Sequence, residues 1–598
     1  MLAAAATLCL ALSACGSSVH TGAKIASGPA ATSAAIANAI TVSPMPGTPD
    51  ASPATQISFL GGPGTKVLYV HAVGSLSGYH SGRLEAYSTG TGESFLPTRG
   101  FTPGETVAVN ARVRVGKHEE SVGTNFKIAR EAVESTAPFP AHESDPAEIQ
   151  SFHSAPSLKP SSVQVLTPAQ PGAASGDFFL APYQGTGAPG PMIVNGEGQL
   201  VWFHPLPKGE DSTNFHVQTY EGQQALTWWQ GHVLKLGFGQ GEDVIANSSY
   251  QKIATVKAGN GYKADLHEFR ITPEGTAWID AFDPIHMSLS ADGGSSNGVL
   301  SDSVIEEVDI KTGLVMWEWH ALGHIPLSNS HSKPSKSSYP WDAYHINSID
   351  PGSEGNLLIS SRNTWTLYDL MIHSGAFKWR FGNGAASSFK LGEGVKFFWQ
   401  HDAEWQPGGL ISLFDNGASP AMEKESSGLL LRPEESKRQV TLVKRFVNPN
   451  RTLLAASQGN VLNLKDGNWL LGYGELPDFT EYNAAGVVLF EASLGENTQD
   501  FRTYFGPWSG HPKQAPAIAV AAGSSGPVLY ASWNGATEVA SWKVLSGSST
   551  SSLTPIASAP RSGFETTIPV SGASGYVEAQ ALSSSGKVLG TSAAAQVP

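Results

Sequence analysis

The stretch HINSIDPGSEGNLLIS (345–360) reads as a histidine, a four-residue strand, a Gly-containing turn and a returning strand, and the chain repeats that order. It recurs in HVQTYEGQQALTW (216–228), HEFRITPEGTAWI (267–279) and HDAEWQPGGLISL (401–413), and, with asparagine in first place, in NVLNLKDGNWLLG (460–472). In-phase copies of one supersecondary unit mark a repeat architecture, in which equivalent positions take equivalent places. His216, His267, His345 and His401 are therefore expected to converge, with Asn460 at the fifth position.

Working outward, each pair is followed by a second hairpin, as in VIEEVDIKTGLVMWEW (304–319) and LYDLMIHSGAFKWRFG (367–382). Polar turn residues with Gly separate the alternating apolar positions, as hairpins require. FFLAPY (178–183) supplies a sixth opening strand without histidine, followed by PMIVNGEGQLVWF (191–203). Six units of four strands predict a six-bladed β-propeller over residues 171–512, which leaves only short, protected strand edges. The aromatic ends Trp202, Phe203, Trp317, Trp319, Trp379, Phe381 and Phe490 are expected to pack blade against blade.

Outside the repeats, residues 57–135 read as a small β-sandwich, 136–170 as a Pro-, Ser- and acid-rich linker, and 515–598 as a second sandwich similar to a fibronectin type III module. The whole chain is thus expected to be all-β, a propeller flanked by N-terminal and C-terminal β-sandwich domains. With 65 Gly and 39 Pro among 598 residues, the composition suits many turns. A net charge of −14 without any basic run argues against a nucleic-acid partner.

Residues 1–15 form an apolar stretch too short to span a bilayer, and Leu12-Ser13-Ala14-Cys15 resembles a lipobox with Cys15 as the lipidated residue. Residues 16–56 are then a small-residue tether, and the protein is expected to be exported and held at the cell envelope by lipid alone. Cys9 and Cys15 are the only cysteines, so the mature chain has no disulfide.

In a propeller the first strand of each blade lies beside the channel, and the second returns to the same mouth. Folding 346–349 back on 357–360 brings Arg362 to His345, and the same operation brings Asp415 and Asn416 to His401. It carries Trp229 toward His216, and Phe282 with Asp283 toward His267. Such an inventory suits transfer of an anionic group: Arg offers a planar fork to sulfuryl or phosphoryl oxygens, and a neutral imidazole is a nucleophile that divides one hard step into two.

DAYHINSID (342–350), LLISSRN (357–363), and WQHDAEW (399–405) with LFDNG (413–417) resemble the bacterial arylsulfotransferase family, which moves sulfate between phenols without a nucleotide donor. FHVQTYEGQQALTWWQG (215–231) and DLHEFRITPEGTAW (265–278) look like its second branch. The resemblance implies a six-bladed propeller, small phenolic donors and acceptors, and no cofactor or metal. It implies His401 as the nucleophile that becomes sulfated, with His345, Arg362 and His267 as its catalytic partners. His216, Asn347, Asn416, Trp229 and Asn460 are expected substrate contacts, and Trp229, Phe282 and Trp399 are candidates to stack on aryl rings. The spacing alone does not single out His401 among the four histidines. The lipid anchor, the absent cysteine pair and the C-terminal sandwich depart from the family.

Two other classes fit the same residues. Three histidines at a channel mouth hold a divalent ion in many hydrolases and lyases, although Arg362 beside His345 repels a cation. A tethered protein with flanking sandwiches also suits non-catalytic surface binding.

Overall fold

The computed structural model describes residues 40–133, 137–140, 145–336, 339–383 and 387–598. The expected signal segment 1–15, its Cys15 and residues 16–39 of the expected tether lie outside the described residues. The described chain is all-β, and its helical pieces are five three-residue 3-10 turns. No helix among the described residues is long and apolar enough to cross a membrane.

Residues 40–56 are packed, which corrects the C-terminal part of the tether. Thr41–Ser43 pairs antiparallel with Ile57–Leu60, and Ala51 is fully buried. Met45 sits in the same core as Trp319 and Ala321. A small-residue composition does not prevent docking when a neighbour offers both a strand edge and an apolar groove. The N-terminal domain has two four-stranded sheets around Ile57, Phe59, Val107, Val109 and Phe126. Thr106–Val115 alternates exposed and buried residues along TVAVNARVRV, the period that puts valines on one face.

Between Asp177 and Gly506 the described residues form six consecutive antiparallel sheets, each with four principal strands. In five of them the strands follow chain order, spanning 211–256, 269–320, 346–382, 401–446 and 460–494. The first sheet draws on both ends of this region: Tyr504–Gly506 pairs with Asp177–Leu180, which pairs with Met192–Val194 and that with Leu200–Phe203. FFLAPY is therefore the second strand of its unit, not the opening one. Its true opening strand comes from the far end of the region, where no local pattern connects the two. Val163–Thr167, inside the expected linker, adds a fifth strand to the sixth sheet.

Neighbouring sheets touch through their opening strands: Asp211–Tyr220 meets Phe269–Ile271, and Ile346–Pro351 meets His401–Gln406, which meets Asn460–Asn463. Trp469–Gly472 contacts Tyr504–Gly506, which also contacts Asp211–Tyr220. The tryptophans bridge sheets as core residues: Trp317 Nε1 donates to Ile372 O at 2.8 Å, and Trp319 Nε1 to Gly375 O at 3.1 Å. The C-terminal domain, two sheets around Leu529, Trp542, Val544 and Ile568, docks on the first sheet through Asn534, whose amide bonds both the N–H and the C=O of Phe203.

Where the opening strands meet, Arg502 is fully buried. Its Nη1 reaches both oxygens of Glu268 and Asn214 Oδ1 at 3.3 Å, and Nη2 donates to Asn347 O at 2.9 Å. Nε lies 3.1 Å from Asp402 Oδ1, whose other oxygen accepts from Val461 N at 3.0 Å. One guanidinium just ahead of the first sheet's opening strand thus touches the second, third, fourth and fifth sheets. Asp402 passes the link to the sixth. Replacing Arg502 by Met leaves Asp402 buried without its counter-ion and Glu268 with Arg270 alone, 3.9 Å away, at an expected cost of about 3–5 kcal/mol. Thermal unfolding of Arg502→Met should show a clearly lower midpoint than wild type, and an unchanged midpoint would remove Arg502 from this role.

Candidate active site

Above Arg502 the structure brings together three of the four expected histidines. The rings of His267 and His345 are 4.8 Å apart between centroids, His345 and His401 6.2 Å, and His267 and His401 6.5 Å. One ring nitrogen from each lies within 4.8 Å of the others. Each ring is fixed from behind by an oxygen at Nδ1. Asp265 Oδ2 holds His267, Asp342 Oδ2 holds His345 at 2.7 Å, and Asn416 Oδ1 holds His401 at 2.7 Å.

The last bond sets the tautomer of His401. Asn416 Nδ2 donates to Ala455 O at 3.2 Å and to Gln458 O at 2.9 Å, so the amide faces His401 with its oxygen. Nδ1 must then carry the proton, which leaves the lone pair on Nε2. Gln458 N–H reaches that lone pair at 3.2 Å. Burial first, then Arg362 and His345, holds the His401 pKa well below the ordinary histidine range. Burial also lowers His345, against the pull of Asp342. Both rings are neutral at pH 7.

Arg362 N donates to His345 O at 2.9 Å, as the fold-back of the second strand predicts. Its guanidinium lies 4.9 Å over Trp399 and donates to Ala456 O at 3.0 Å, while its buried Nε has no hydrogen-bond partner. Phe282 stacks on Phe238 with centroids 4.0 Å apart and stands 5.7 Å from His345. Phe501 meets His267 edge-on at 5.3 Å. His345, Trp399, Asp402 and Gln458 all have φ between 51° and 65°, a left-handed conformation that non-glycine residues keep only where surrounding contacts enforce it.

Several expected contacts lie elsewhere. His216 stacks on Tyr504 at 4.3 Å, and its Nδ1 bonds Asn214 O at 2.9 Å. Both strands carry a bulge, but it lies ahead of His216 and just after His401. Thr213 pairs with Trp229 and His216 with Thr227, just as His401 pairs with Phe414 and Glu404 with Ser412. The ladder therefore equates Thr213 with His401, and His216 with Glu404. Accordingly, His216 lines a separate cavity of about 1020 Å³ at the other ends of the opening strands, with Arg270, Glu404, Asn463 and Tyr504.

Trp229 is fully buried and its Nε1 donates to Ala264 O at 2.9 Å, so it is core and offers no stacking face. Asn460 spends both ends of its amide on Thr503, at 2.8 and 2.9 Å, stapling the sixth sheet to the first. Asn347, also buried, donates to Gln400 O at 2.8 Å. Asp415 accepts from Phe398 N at 2.8 Å and shapes the turn, whereas its neighbour Asn416 reaches the histidine. Asp283 faces away from the site, toward Asp50 and His320. The sequence reading missed Asp265, Asp342 and Gln458. The first two carried a signal, an acid two or three residues ahead of the histidine it orients.

Fold and site together define an all-β protein of repeated four-stranded sheets with a buried, histidine-centred polar site. Residues 216–495 match the model of the arylsulfotransferase (ASST) family, which supports placing this part of the chain there. No curated protein matches the sequence. Among solved structures, a quinoprotein alcohol dehydrogenase-like protein from Bacteroides thetaiotaomicron is 9% identical with a TM-score of 0.24, over 77% of this chain and 96% of that one. Hsv2 of Kluyveromyces lactis is 8% identical with a TM-score of 0.25, over 55% and 95% respectively.

The depressed pKa of His216, about 4 through burial, has a consequence for stability. Between the ordinary histidine value of ~6.5 and about 4 the unfolded chain takes up a proton that the folded one refuses. His216 therefore favours folding less as pH falls through that window. Measured against His216→Gln, wild type should lose relative stability on going from pH 7 to pH 4, and a pH-independent difference would contradict the burial of a neutral ring.

Proposed function

We propose that the six sheets are the blades of a six-bladed β-propeller and that the histidine site transfers a sulfuryl group from an aryl sulfate to a phenol through a sulfohistidine at His401. The succession of contacts between opening strands supports the propeller reading. The observation that carries the chemistry is His401 itself: a buried neutral imidazole whose Nε2 lone pair is set by Asn416, with Arg362 close enough to depress its pKa.

In the first step Nε2 attacks sulfur, the S–O bond to the aryl ring breaks, and the phenolate leaves with the electron pair and is protonated by water. In the second, an acceptor phenol attacks the sulfur of the adduct while its proton passes to His345, whose Nδ1 is anchored on Asp342. The S–N bond breaks and its electron pair returns to Nε2. Arg362 and His267 hold the sulfuryl oxygens, where charge builds in the transition state. Phe282 and Phe238, with Trp399 beneath Arg362, enclose the aryl rings. Export and a lipid anchor at Cys15 complete the reading, so the reaction takes place at the cell envelope.

Intact mass after mixing with an aryl sulfate and no acceptor should show one added sulfuryl group, lost on adding phenol and absent in His401→Ala. Arg362→Met should lower kcat by about 10²–10³. Turnover that survives His401→Ala sinks the proposal. A second reading has one observation in its favour: three imidazoles, each held at Nδ1 and clustered within 4.8 Å, are also a ligand set for a divalent ion. Chelator-sensitive turnover with one ion lost on replacing His267, and no sulfuryl adduct, would favour that reading.

A further inference from the structure

A second cluster of ligating side chains lies outside the histidine site, where the segment following Thr41–Ser43 packs on the third sheet. Asp50, from that segment, meets Asp302 and His320 of the sheet, with one ligand atom from each within 4.8 Å of the others. His320 Nδ1 is 3.2 Å from both Asp50 Oδ1 and Asp302 Oδ2, and its Nε2 is 3.0 Å from Glu318 Oε1. Asp283 and Glu306 extend the group, and all six residues are buried. Among the described residues, no Lys or Arg forms an ion pair with any of these five carboxylates.

Buried carboxylates ordinarily accept hydrogen bonds or meet cations. Here Asp50, only 1% exposed, has His320 Nδ1 as the close partner of Oδ1 and no hydrogen bond at all on Oδ2. Asp283 Oδ2, Glu306 Oε1 and the hydroxyl of Tyr262 are likewise buried without a hydrogen-bond partner. Oxygens left open in this way around one imidazole form the donor set of a cation site. Carboxylate oxygens with a single ring nitrogen match Mn²⁺ or Zn²⁺ better than an all-oxygen calcium cage.

We propose that Asp50, Asp302 and His320 bind a divalent cation of the Mn²⁺ or Zn²⁺ type, with Asp283 as a further oxygen donor. On binding, the metal–nitrogen bond forms at His320 Nδ1 and any proton held there is released to solvent. The ion ties the N-terminal segment to the third sheet. Because Asp283 directly follows Phe282, it also fixes the wall that faces His267 and His345. The site is separate from the histidine trio, and nothing in it depends on sulfuryl transfer.

The test uses the chain with His267 and His345 both replaced by Gln, which removes the trio as a competing ligand set. After chelation and dialysis against Mn²⁺ or Zn²⁺, metal analysis should find a single bound ion per chain. Asp302→Asn in the same background should weaken it at least about tenfold. Should Asp302→Asn fail to fold, as judged by circular dichroism, Asp50→Asn makes the same test from outside the sheet. Anomalous scattering from Mn²⁺-soaked wild-type crystals should place density between Asp50, Asp302 and His320. No ion in the trio-free chain, an affinity unchanged by the folded Asn variants, or density at the trio alone would overturn the proposal.

Discussion

The Arg502 guanidinium is the contact on which the six sheets depend. Each opening strand brings a backbone or side-chain group to the centre that cannot be satisfied within its own sheet. Glu268 and Asp402 are charged groups removed from water, and Asn214 and Asn347 present oxygens there as well. Burial alone would raise the carboxyl of Glu268, but Arg502 and then Arg270 hold it below the usual carboxylate range. Burial first, with Glu404 and Glu268 adding to it, pushes Asp402 up to about 7 in spite of Arg502. Such a centre stabilises only when complete, because breaking a buried ion pair leaves an uncompensated charge. Pairing of Tyr504–Gly506 with Asp177–Leu180 delivers Arg502 to that point, so completing the first sheet and balancing the central charge are one event.

The histidine site is built directly on this plug, and its electrostatics follow from its position. Rings placed over buried charge and walled by Phe238, Phe282 and Phe501 lose the solvation that would favour imidazolium. His345 and His401 are consequently neutral, and the His401 lone pair at Nε2 meets only the Gln458 N–H as a hydrogen-bond donor among the described residues. The oxygens behind them, from Asp265, Asp342 and Asn416, differ in charge. Two rings are backed by a carboxylate and one by an amide. The amide-backed ring is His401, which also feels Arg362 most strongly after burial. That asymmetry sets His401 apart electrostatically from the carboxylate-backed pair. An amide can fix a tautomer without stabilising the charged form of the ring.

Local patterning made much of this arrangement legible. The strand–turn–strand repeat located the opening strands, and folding each second strand back correctly brought Arg362 to His345 and Asn416 to His401. It failed where the bulge sits differently relative to the histidine. His401 stands at the start of its bulge, whereas in Asp211–Tyr220 the bulge lies ahead of His216, so His216, in perfect sequence phase with His401, stands level with Glu404 and faces the other cavity. Bulges are set by pairing geometry and leave no trace in apolar periodicity. Trp229 and Asn460 were misread for a related reason. Whether a polar or aromatic tip meets solvent or a neighbouring sheet depends on the partner across the gap, here Ala264 and Thr503.

By itself, then, the sequence determined an all-β chain of repeated four-stranded units and the family likeness of residues 216–495. It also determined three of the histidines that meet, because strand alternation, turn chemistry and motif identity are local properties written in consecutive residues. Only the tertiary structure decided that the first sheet closes with Tyr504–Gly506 and that Arg502 holds the centre. It alone decided that His216 leaves the group, and that Asp50 crosses from the N-terminal segment to Asp302 and His320. Each of these joins residues far apart in the chain through burial and charge. Their energetic reason exists only once water has been excluded from between them.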